Sequence, residues 1–120
     1  MIRRWETVFT DTTSDWLLTE KEDVRESIIA YLNVLEEKGP NLGRPYADTL
    51  EGSKYPNLKE LRVQHNGEPY RLFYIFNKYR EAVILCGASK KGLNEKDFYK
   101  KMIKIAEKEY EKEGEMHGLE

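Results

Sequence analysis

Apolar positions recur with a helical period in the first third of the chain. Between positions 24 and 35 they lie three or four residues apart, which is the spacing of one face of an α-helix. A Gly-Pro pair at 39–40 predicts the end of this helix. Thr19 and Glu22 have the spacing of a capping box, so we expect the helix to begin at Thr19.

Shorter elements precede this helix. Residues 4–9 alternate loosely between apolar and polar side chains and predict a first strand. Hydroxyl side chains at positions 12–14 offer N-caps for one or two helical turns over residues 15–18. The N-terminal part of the chain is therefore expected to contain one strand and two helices.

The middle of the chain has the pattern of β-structure. Residues 39–57 hold three of the four prolines and predict a long ordered loop. Three stretches rich in apolar, aromatic and β-branched residues then follow, and turn formers separate them; they are residues 58–65, 70–76 and 82–89. Consecutive strands with short connections form an antiparallel meander.

A third helix is predicted after Asn94, which can cap it, and its apolar stripe is Phe98, Met102, Ile105 and Ala106. The fold class is therefore α+β. We expect an antiparallel sheet, made of the N-terminal strand and the three-strand meander, packed by two N-terminal helices and one C-terminal helix. A chain of 120 residues forms one domain, 1–120, whose residues from about 111 onward are a polar tail.

Composition excludes several classes of protein. Apolar residues make up 39% and charged residues 35% of the chain, which is enough apolar material for a small core. One cysteine, Cys86, cannot form an internal disulfide, and with two histidines it cannot complete a zinc site without several carboxylates. We expect Cys86 to be a buried hydrophobic residue, His65 to be an exposed loop residue and His117 to lie in the tail. We also expect the protein to use no metal and no cofactor.

Targeting signals are absent from the sequence as given. The two arginines near the start are not followed by the apolar run of a signal peptide. The longest apolar stretch, residues 82–88, is too short to cross a bilayer and suits a buried strand. The expectation is a soluble cytoplasmic protein with no membrane partner.

Charge is distributed unevenly, although the net charge is only -2. Residues 1–53 have a balance of -5, residues 54–91 of +5, and residues 92–120 of -2. The cations of the basic middle third are Lys54, Lys59, Arg62, Arg71, Lys78, Arg80, Lys90 and Lys91. An ordinary solvated sheet edge would have the same composition, so the geometry of these cations decides what they mean.

Strand alternation indicates where four of these cations point. Arg62 should face away from the side shared by Leu61 and Val63, whereas Arg71 lies so near a turn that its direction stays open. Lys90 and Lys91 follow the third strand of the meander directly. We therefore predict that Arg62, Arg71, Lys90 and Lys91 share one small surface.

Such a cluster fits the phosphate backbone of a nucleic acid, because guanidinium groups grip phosphate oxygens in pairs. RNA carries a 2'-hydroxyl beside each phosphodiester, so its cleavage needs proton transfer and charge stabilisation but no metal. A lysine crowded by cations, Lys90 or Lys91, is a candidate base, and an arginine would hold the developing charge. Lys54 and Lys59 are candidates for guiding the RNA backbone.

Tyr99, near the start of the last helix, is a candidate for stacking on a base or donating a proton. The alternative is that it only flanks the core.

Four segments together resemble the RelE/ParE toxin superfamily, and within it the HigB-like branch, also described as phage-derived Gp49-like proteins. They are DTLEGSK (48–54), LKELRV (58–63), YRLFY (70–74) and ASKK (88–91). The resemblance covers roughly residues 3–110. It implies a RelE-like fold and the toxin of a type II toxin–antitoxin pair, most often a ribosome-dependent endoribonuclease that cuts mRNA and so inhibits translation.

The resemblance also implies partners and roles. The expected partners are the ribosome, mRNA and an antitoxin with a helix-turn-helix domain, and operator DNA is contacted only through that antitoxin. The functional arginine of the "YR" position corresponds to Arg71, with further basic residues at Arg62 and at Lys90 or Lys91. Tyr99 is an approximate match to an aromatic residue near the last helix.

Two alternatives stay open at this point. Some superfamily members poison DNA gyrase through protein contacts and cut no RNA, and this chain, unlike most ribosome-targeting members, is net acidic. A toxin-like protein that only binds its antitoxin is the other alternative.

Overall fold

The computed structural model of this protein describes residues 4–114. In this range the chain forms a strand, two helices, four further strands and a last helix. The elements are β1 (Glu6–Phe9), α1 (Asp11–Thr19), α2 (Glu22–Lys38), β2 (Ala47–Thr49), β3 (Lys59–His65), β4 (Glu68–Phe76), β5 (Glu81–Ser89) and α3 (Glu95–Glu113), with one 3-10 turn, Gly39–Asn41, after α2. The architecture is α+β, as the sequence predicts.

The five strands form one sheet in the order β1-β5-β4-β3-β2. Strands β3, β4 and β5 make the predicted antiparallel meander. Strand β1, however, pairs in parallel with β5, so the sheet is mixed and the expectation of a wholly antiparallel sheet is wrong in this detail. The chain leaves β1 at one edge, passes through α1 and α2, and re-enters the sheet at the other edge.

A short edge strand, β2, lies inside the segment predicted to be a loop. It pairs antiparallel with β3, and Ala47 lies opposite Leu61. A three-residue strand is too short to show an alternating pattern, and its neighbours are turn formers, so the sequence does not predict this strand.

The helix starts differ from the prediction. The N-cap of α1 is Thr10, whose hydroxyl accepts a hydrogen bond from the Thr13 backbone N–H at 3.2 Å. The predicted capping box at Thr19 is wrong, because Thr19 still belongs to the last turn of α1 and its hydroxyl donates to the Trp16 carbonyl. Helix α3 does begin after Asn94, which caps it by accepting from the Asp97 N–H.

Each face of the sheet is covered by one long helix. Helix α2 buries four side chains against one face; they are Val24, Ile28, Leu32 and Leu35. Helix α3 covers the other face with Phe98, Met102, Ala106 and Tyr110. Full burial of a large apolar side chain stabilises a fold by about 1.5–3 kcal/mol, so these two stripes position both helices.

The side chains of the strands alternate as predicted. Leu61 and Val63 face α2, whereas Glu60 lies on the α3 side, where it contacts Tyr99. The face occupied by Arg62 is thus the one that α3 covers in part.

Glycine at position 87 allows α1 to pack closely on the sheet. The ring of Trp16 lies over Gly87 on β5, and a Cβ atom at that position would be 2.4 Å from the ring. Since real Cβ atoms do not approach other atoms so closely, no larger residue fits at Gly87 without movement of Trp16.

Helix α3 continues through Glu113, beyond the point where the sequence turns polar. Tyr110 is buried there and stacks on Tyr55 with a centroid distance of 4.0 Å. Of the predicted polar tail, residues 115–120 with His117 lie outside the described residues. No helix within residues 4–114 is both long and apolar enough to span a membrane.

Candidate functional site

The Arg71 side chain lies beneath the first turns of α3 and is only 9% exposed. Its Nε donates a hydrogen bond to the Tyr99 hydroxyl at 3.2 Å, and its Nη1 donates to the Tyr70 carbonyl at 3.0 Å. The direction that the sequence leaves open is therefore toward α3, on the same side of the sheet as Glu60.

Glu60 links the groups of this site. Its Oε1 accepts a hydrogen bond from the Tyr99 hydroxyl at 2.6 Å and lies 3.5 Å from Nε of Arg71. Its Oε2 accepts from Nη2 of Arg62 at 3.1 Å. Glu60 is 4% exposed, so one buried carboxylate contacts both arginines and the tyrosine.

Arg62 lies next to Arg71 but is more open to solvent, with 34% of its side chain exposed. Besides Glu60 it pairs with Asp48 at 3.5 Å, and Asp48 also pairs with Arg44 at 2.8 Å. Arg44 and Arg62 together hold the pKa of the Asp48 carboxyl below its usual value, with the hydrogen bond from Arg44 as the largest cause. These contacts form the outer layer of the site.

The side chains of Lys90 and Lys91 point to different parts of the molecule. The Lys90 ammonium is 5.5 Å from the centre of the Tyr99 ring and donates a hydrogen bond to Glu95, which lowers the pKa of that carboxyl. Lys91 is 74% exposed and pairs with Glu68 at 3.7 Å, beside the start of α2. The structure thus brings Arg62, Arg71 and Lys90 together around Tyr99 and leaves Lys91 outside this group.

The two lysines predicted to guide RNA also lie away from Tyr99. Lys54 pairs with Glu111 in the last turns of α3 at 2.6 Å. Lys59 donates to the Thr49 hydroxyl at 3.0 Å and shares the strand face of Leu61, opposite that of Arg62.

A groove of about 680 Å³ opens between the β2–β3 edge of the sheet and the start of α3. Its lining alternates in charge and includes Arg44, Asp48, Arg62, Glu95, Lys96 and Tyr99. In this state Arg44 and Arg62 face carboxylates of the same chain, whereas Lys96 has no such partner among residues 4–114.

A row of lysines continues from this groove along α3. Lys96, Lys100 and Lys104 are exposed, and they line a second depression of about 570 Å³ that also contains Tyr99. Within the described part of the chain none of the three has a carboxylate within ion-pair distance. These lysines are not among the predicted site residues, although their spacing of four residues in a helix is a signal in the sequence.

The Tyr99 hydroxyl is held in its protonated form. Burial raises the pKa of Tyr99 to about 12, with a further rise from the hydrogen bond to Glu60, while Arg71 acts in the opposite direction. Tyr99 is therefore a hydrogen-bond donor over the whole neutral pH range.

Neither Cys86 nor His65 belongs to this site. Burial raises the pKa of the Cys86 thiol to about 12, so Cys86 is the buried hydrophobic residue that the sequence predicts. The prediction that His65 is an exposed loop residue is wrong. His65 is the last residue of β3, its side chain is 20% exposed, and its Nε2 is 3.0 Å from a carboxylate oxygen of Asp23. No group of three potential metal ligands comes together among residues 4–114.

Comparison with known proteins gives sequence matches that cover most of the chain. Residues 15–111 match a family described as phage-derived protein Gp49-like. The Mycobacterium tuberculosis protein named "Putative toxin HigB2" is 37% identical over 95 residues, which are 78% of this chain and 47% of HigB2, so the chain spans about half the length of that relative. "Putative toxin HigB3" of the same organism is 35% identical over 96 residues, covering 80% of this chain and 82% of HigB3.

Solved structures with the same fold include a mutant of the Escherichia coli toxin RelE in the free state. Its TM-score is 0.61 at 15% identity, covering 84% of this chain and 96% of that one. The toxin–antitoxin complex RelBE2 of M. tuberculosis matches with a TM-score of 0.56 at 16% identity, covering 72% and 99%. The archaeal RelE–RelB complex of Pyrococcus horikoshii matches at 0.54 and 17%, covering 75% and 99%. The fold is therefore RelE-like.

Proposed function

Because the chain belongs to the phage-derived Gp49-like family, the HigB-like branch of the RelE superfamily, we propose that it is the toxin of a type II toxin–antitoxin pair and cuts messenger RNA on the ribosome. One observation carries the catalytic part of this proposal. Arg62, Arg71 and Lys90, which come from three different strands or their ends, gather around Tyr99, and of these residues Arg62 and Tyr99 line the groove described above. These are the groups that a phosphodiester needs around it.

RNA would bind by replacing carboxylates of the chain itself. The Arg62–Asp48 and Lys90–Glu95 pairs involve groups open to solvent, and such pairs contribute only about 0–1 kcal/mol. A phosphate that receives two hydrogen bonds from a guanidinium is a stronger partner, so it displaces them. The lysine row on α3 extends the positive surface along which the RNA backbone runs.

Cleavage then follows from the chemistry of RNA. The 2'-hydroxyl passes its proton to a solvent water molecule and its oxygen attacks the adjacent phosphorus, the bond from phosphorus to the 5' oxygen breaks, and that oxygen takes up a proton. The products are a 2',3'-cyclic phosphate and a 5'-hydroxyl. Arg71 and Arg62 stabilise the pentavalent phosphorane. The protonated Tyr99 turns its hydroxyl hydrogen from Glu60 to the leaving oxygen and supplies the proton of that oxygen. This route needs no metal ion.

Lys90 has a different role from the one expected from the sequence. Its ammonium donates to Glu95, which suits it for stabilising negative charge and not for taking a proton. Lys91 lies beside α2 and has no part in this route.

The proposed partner is an antitoxin with a helix-turn-helix domain, encoded with the toxin. The RelBE2 and archaeal RelE–RelB structures, which share this fold, are toxin–antitoxin complexes. Co-expression with the product of an adjacent gene, followed by copurification and recovery of growth, tests this partnership.

Induction of the chain in cells tests the nuclease directly. We expect rapid arrest of translation and new mRNA ends that carry 5'-hydroxyl groups. Arg62→Ala removes a proposed phosphate ligand that is partly exposed. A loss of mRNA fragments in this variant therefore reflects a loss of cleavage more directly than it would in Arg71→Ala, where a buried side chain is removed. Lys78→Ala, a charge change near the exposed Tyr79, is the control and should cut like the wild type. Unchanged mRNA ends on induction of the wild type would refute the proposal.

A second candidate function rests on the same ion pairs. Both arginines contact Glu60, and Lys90 contacts Glu95, so these three cations are already paired with carboxylates of the chain itself. This favours a toxin that inhibits a protein target such as DNA gyrase, in which the cations serve recognition and stability. DNA breakage and filamentation without mRNA fragments would identify this function, and induction without any effect on growth would identify a protein that only binds its antitoxin.

A further inference from the structure

An anion at the centre of a site for polyanions needs an explanation. Arg62 and Arg71 lie directly opposite each other in the β3–β4 ladder, and like charges at such positions repel. Glu60 contacts both guanidinium groups and so allows them to remain side by side. The same carboxylate accepts the hydroxyl hydrogen bond of Tyr99.

We propose that Glu60 is a positioning residue, whose buried carboxylate holds the Arg71 guanidinium and the Tyr99 hydroxyl in the arrangement that RNA cleavage requires. The inference rests on the nuclease function proposed above. Glu60 acts through Arg71 and Tyr99 and does not itself contact RNA, since both of its oxygens are occupied by donors of the protein.

The position of Glu60 makes this role separable from substrate binding. Its negative charge lies at the floor of the groove and repels phosphate, so Glu60 weakens the binding of RNA. A residue that only improved binding would not be an anion, and a residue that only filled the core would not need a charge that is costly to bury. Glu60 therefore lowers the affinity for RNA but fixes the positions of Arg71 and Tyr99.

Opposite effects on binding and cleavage follow for Glu60→Gln. This change keeps the shape and one acceptor oxygen but removes the charge. We expect RNA to bind roughly fivefold more tightly, which is the Coulomb effect of one unit charge nearby in water. Cleavage of bound RNA should be about 100-fold slower, as expected when reacting groups lose their alignment. Single-turnover cleavage of mRNA on programmed ribosomes and RNA binding to the free protein measure the two quantities.

Glu68→Gln is the matched control. Glu68 lies on the neighbouring strand, accepts the hydroxyl hydrogen bond of Tyr70 and pairs with Lys91, so it copies the contacts of Glu60 outside the groove. Its substitution should leave RNA binding and the cleavage rate as in the wild type.

A third readout does not depend on activity. The hydrogen bond from Tyr99 to Glu60 helps to raise the Tyr99 pKa, so this pKa should fall in Glu60→Gln. The other charged groups that face Tyr99 are Arg62 from β3, Arg71 from β4 and Lys90 from the end of β5, and all three are unchanged. Titration of tyrosine absorbance, with Tyr99→Phe to identify the Tyr99 signal, measures the shift.

A double variant tests whether Glu60 acts through Tyr99. If it does, the double variant Glu60→Gln with Tyr99→Phe cuts RNA about as fast as Tyr99→Phe alone. Its rate is then not reduced by the product of the two single effects, as it would be if the residues acted independently. Wild-type cleavage rates and an unchanged Tyr99 titration in Glu60→Gln would overturn the inference.

Failure of the nuclease proposal is distinguishable from failure of this inference. If the wild type cuts no RNA, the Tyr99 titration alone decides whether Glu60 positions the tyrosine. If Glu60→Gln does not fold, Glu60→Asp takes its place, since it keeps the charge and shortens the reach. Slower cleavage at unchanged RNA affinity then supports the inference, and unchanged cleavage overturns it.

Discussion

Arg62 and Arg71 are partners in the β3–β4 ladder, yet the exposed fractions of their side chains differ about fourfold. The Arg71 side chain is 9% exposed and that of Arg62 is 34% exposed. Arg71 is enclosed by Glu60, Tyr99 and the Tyr70 carbonyl. Two residues of the same type on one face of a sheet therefore contribute differently to stability.

The substitution Arg71→Ala should destabilise the fold more than Arg62→Ala. Loss of Arg71 removes one cation from the buried Glu60, and breaking a buried ion pair costs about 3–5 kcal/mol. Loss of Arg62 also removes a cation from Glu60, but water can take the place of the more exposed Arg62, so this loss should cost only about 1 kcal/mol. Urea unfolding of the two variants beside the wild type measures both. Equal destabilisation by the two substitutions would contradict the ranking.

Lys90→Ala and Lys91→Ala form a pair of neighbouring substitutions with opposite expectations. Lys90 lies over the Tyr99 ring, and its loss should slow RNA cleavage about 10- to 100-fold, the effect of one hydrogen bond to a charged group. Lys91 points toward the α2 side of the sheet, and its loss should leave the rate unchanged. Single-turnover cleavage compares them, and a larger loss in Lys91→Ala would show that the site lies elsewhere.

The lysine row on α3 predicts how RNA binding depends on salt. Replacing Lys96, Lys100 and Lys104 by Ala should reduce the slope of log K against log salt by about 2, because each phosphate contact on single-stranded RNA contributes about 0.7. The control replaces three lysines elsewhere, Lys21, Lys38 and Lys78, and keeps the net charge equal. A slope that changes as much in the control would mean that only total charge matters.

Gly87→Ala should destabilise the protein by about 1–3 kcal/mol through overpacking. The added methyl would lie 2.4 Å from the Trp16 ring. Gly43→Ala is the control, because a Cβ atom at Gly43 has no neighbour within 4 Å, and it should change stability by less than about 0.5 kcal/mol. Thermal unfolding measures both, and similar melting temperatures would show that Trp16 moves freely away.

Stability at alkaline pH should depend on Cys86. Its pKa is about 12 in the folded protein, above the usual 9.0, so the contribution of the neutral thiol is complete below about pH 9 and is lost as pH rises toward 12. Between pH 8 and pH 10 the wild type should lose about 1 kcal/mol that Cys86→Ala does not lose. Urea unfolding across this range compares the two slopes, and parallel slopes would contradict the raised pKa.

Much of the fold follows from local pattern. The meander, the end of α2 and the two faces of β3 were all predictable, because each depends on alternation or on turn residues close in sequence. The parallel pairing of β1 and the strand β2 depend on contacts distant in sequence, so no local pattern marks them. Thr19 shows the opposite failure, since a correct capping spacing fell inside another helix.

The candidate site was predictable in part. Alternation placed Arg62 on the correct face, and proximity to the strand end placed Lys90 near it. The separation of Lys91 from Lys90 could not be predicted, because adjacent residues after a strand turn in directions set by the loop. Glu60 lies between Lys59 and Arg62, where the sequence alone gives no role for a carboxylate, and only the contacts with Arg71 and Tyr99 show why one lies there.

Helix α3 supplies Tyr99, whereas Arg62 and Arg71 belong to the sheet. The apolar anchors of α3 lie on one stripe, and α3 takes no part in strand pairing. A ligand that moved α3 away from the sheet would separate Tyr99 from Arg62 and Arg71 without breaking the pairing of the strands. Inactivating such a protein would not require a ligand that fills its groove, because moving the helix that borders the groove would be enough.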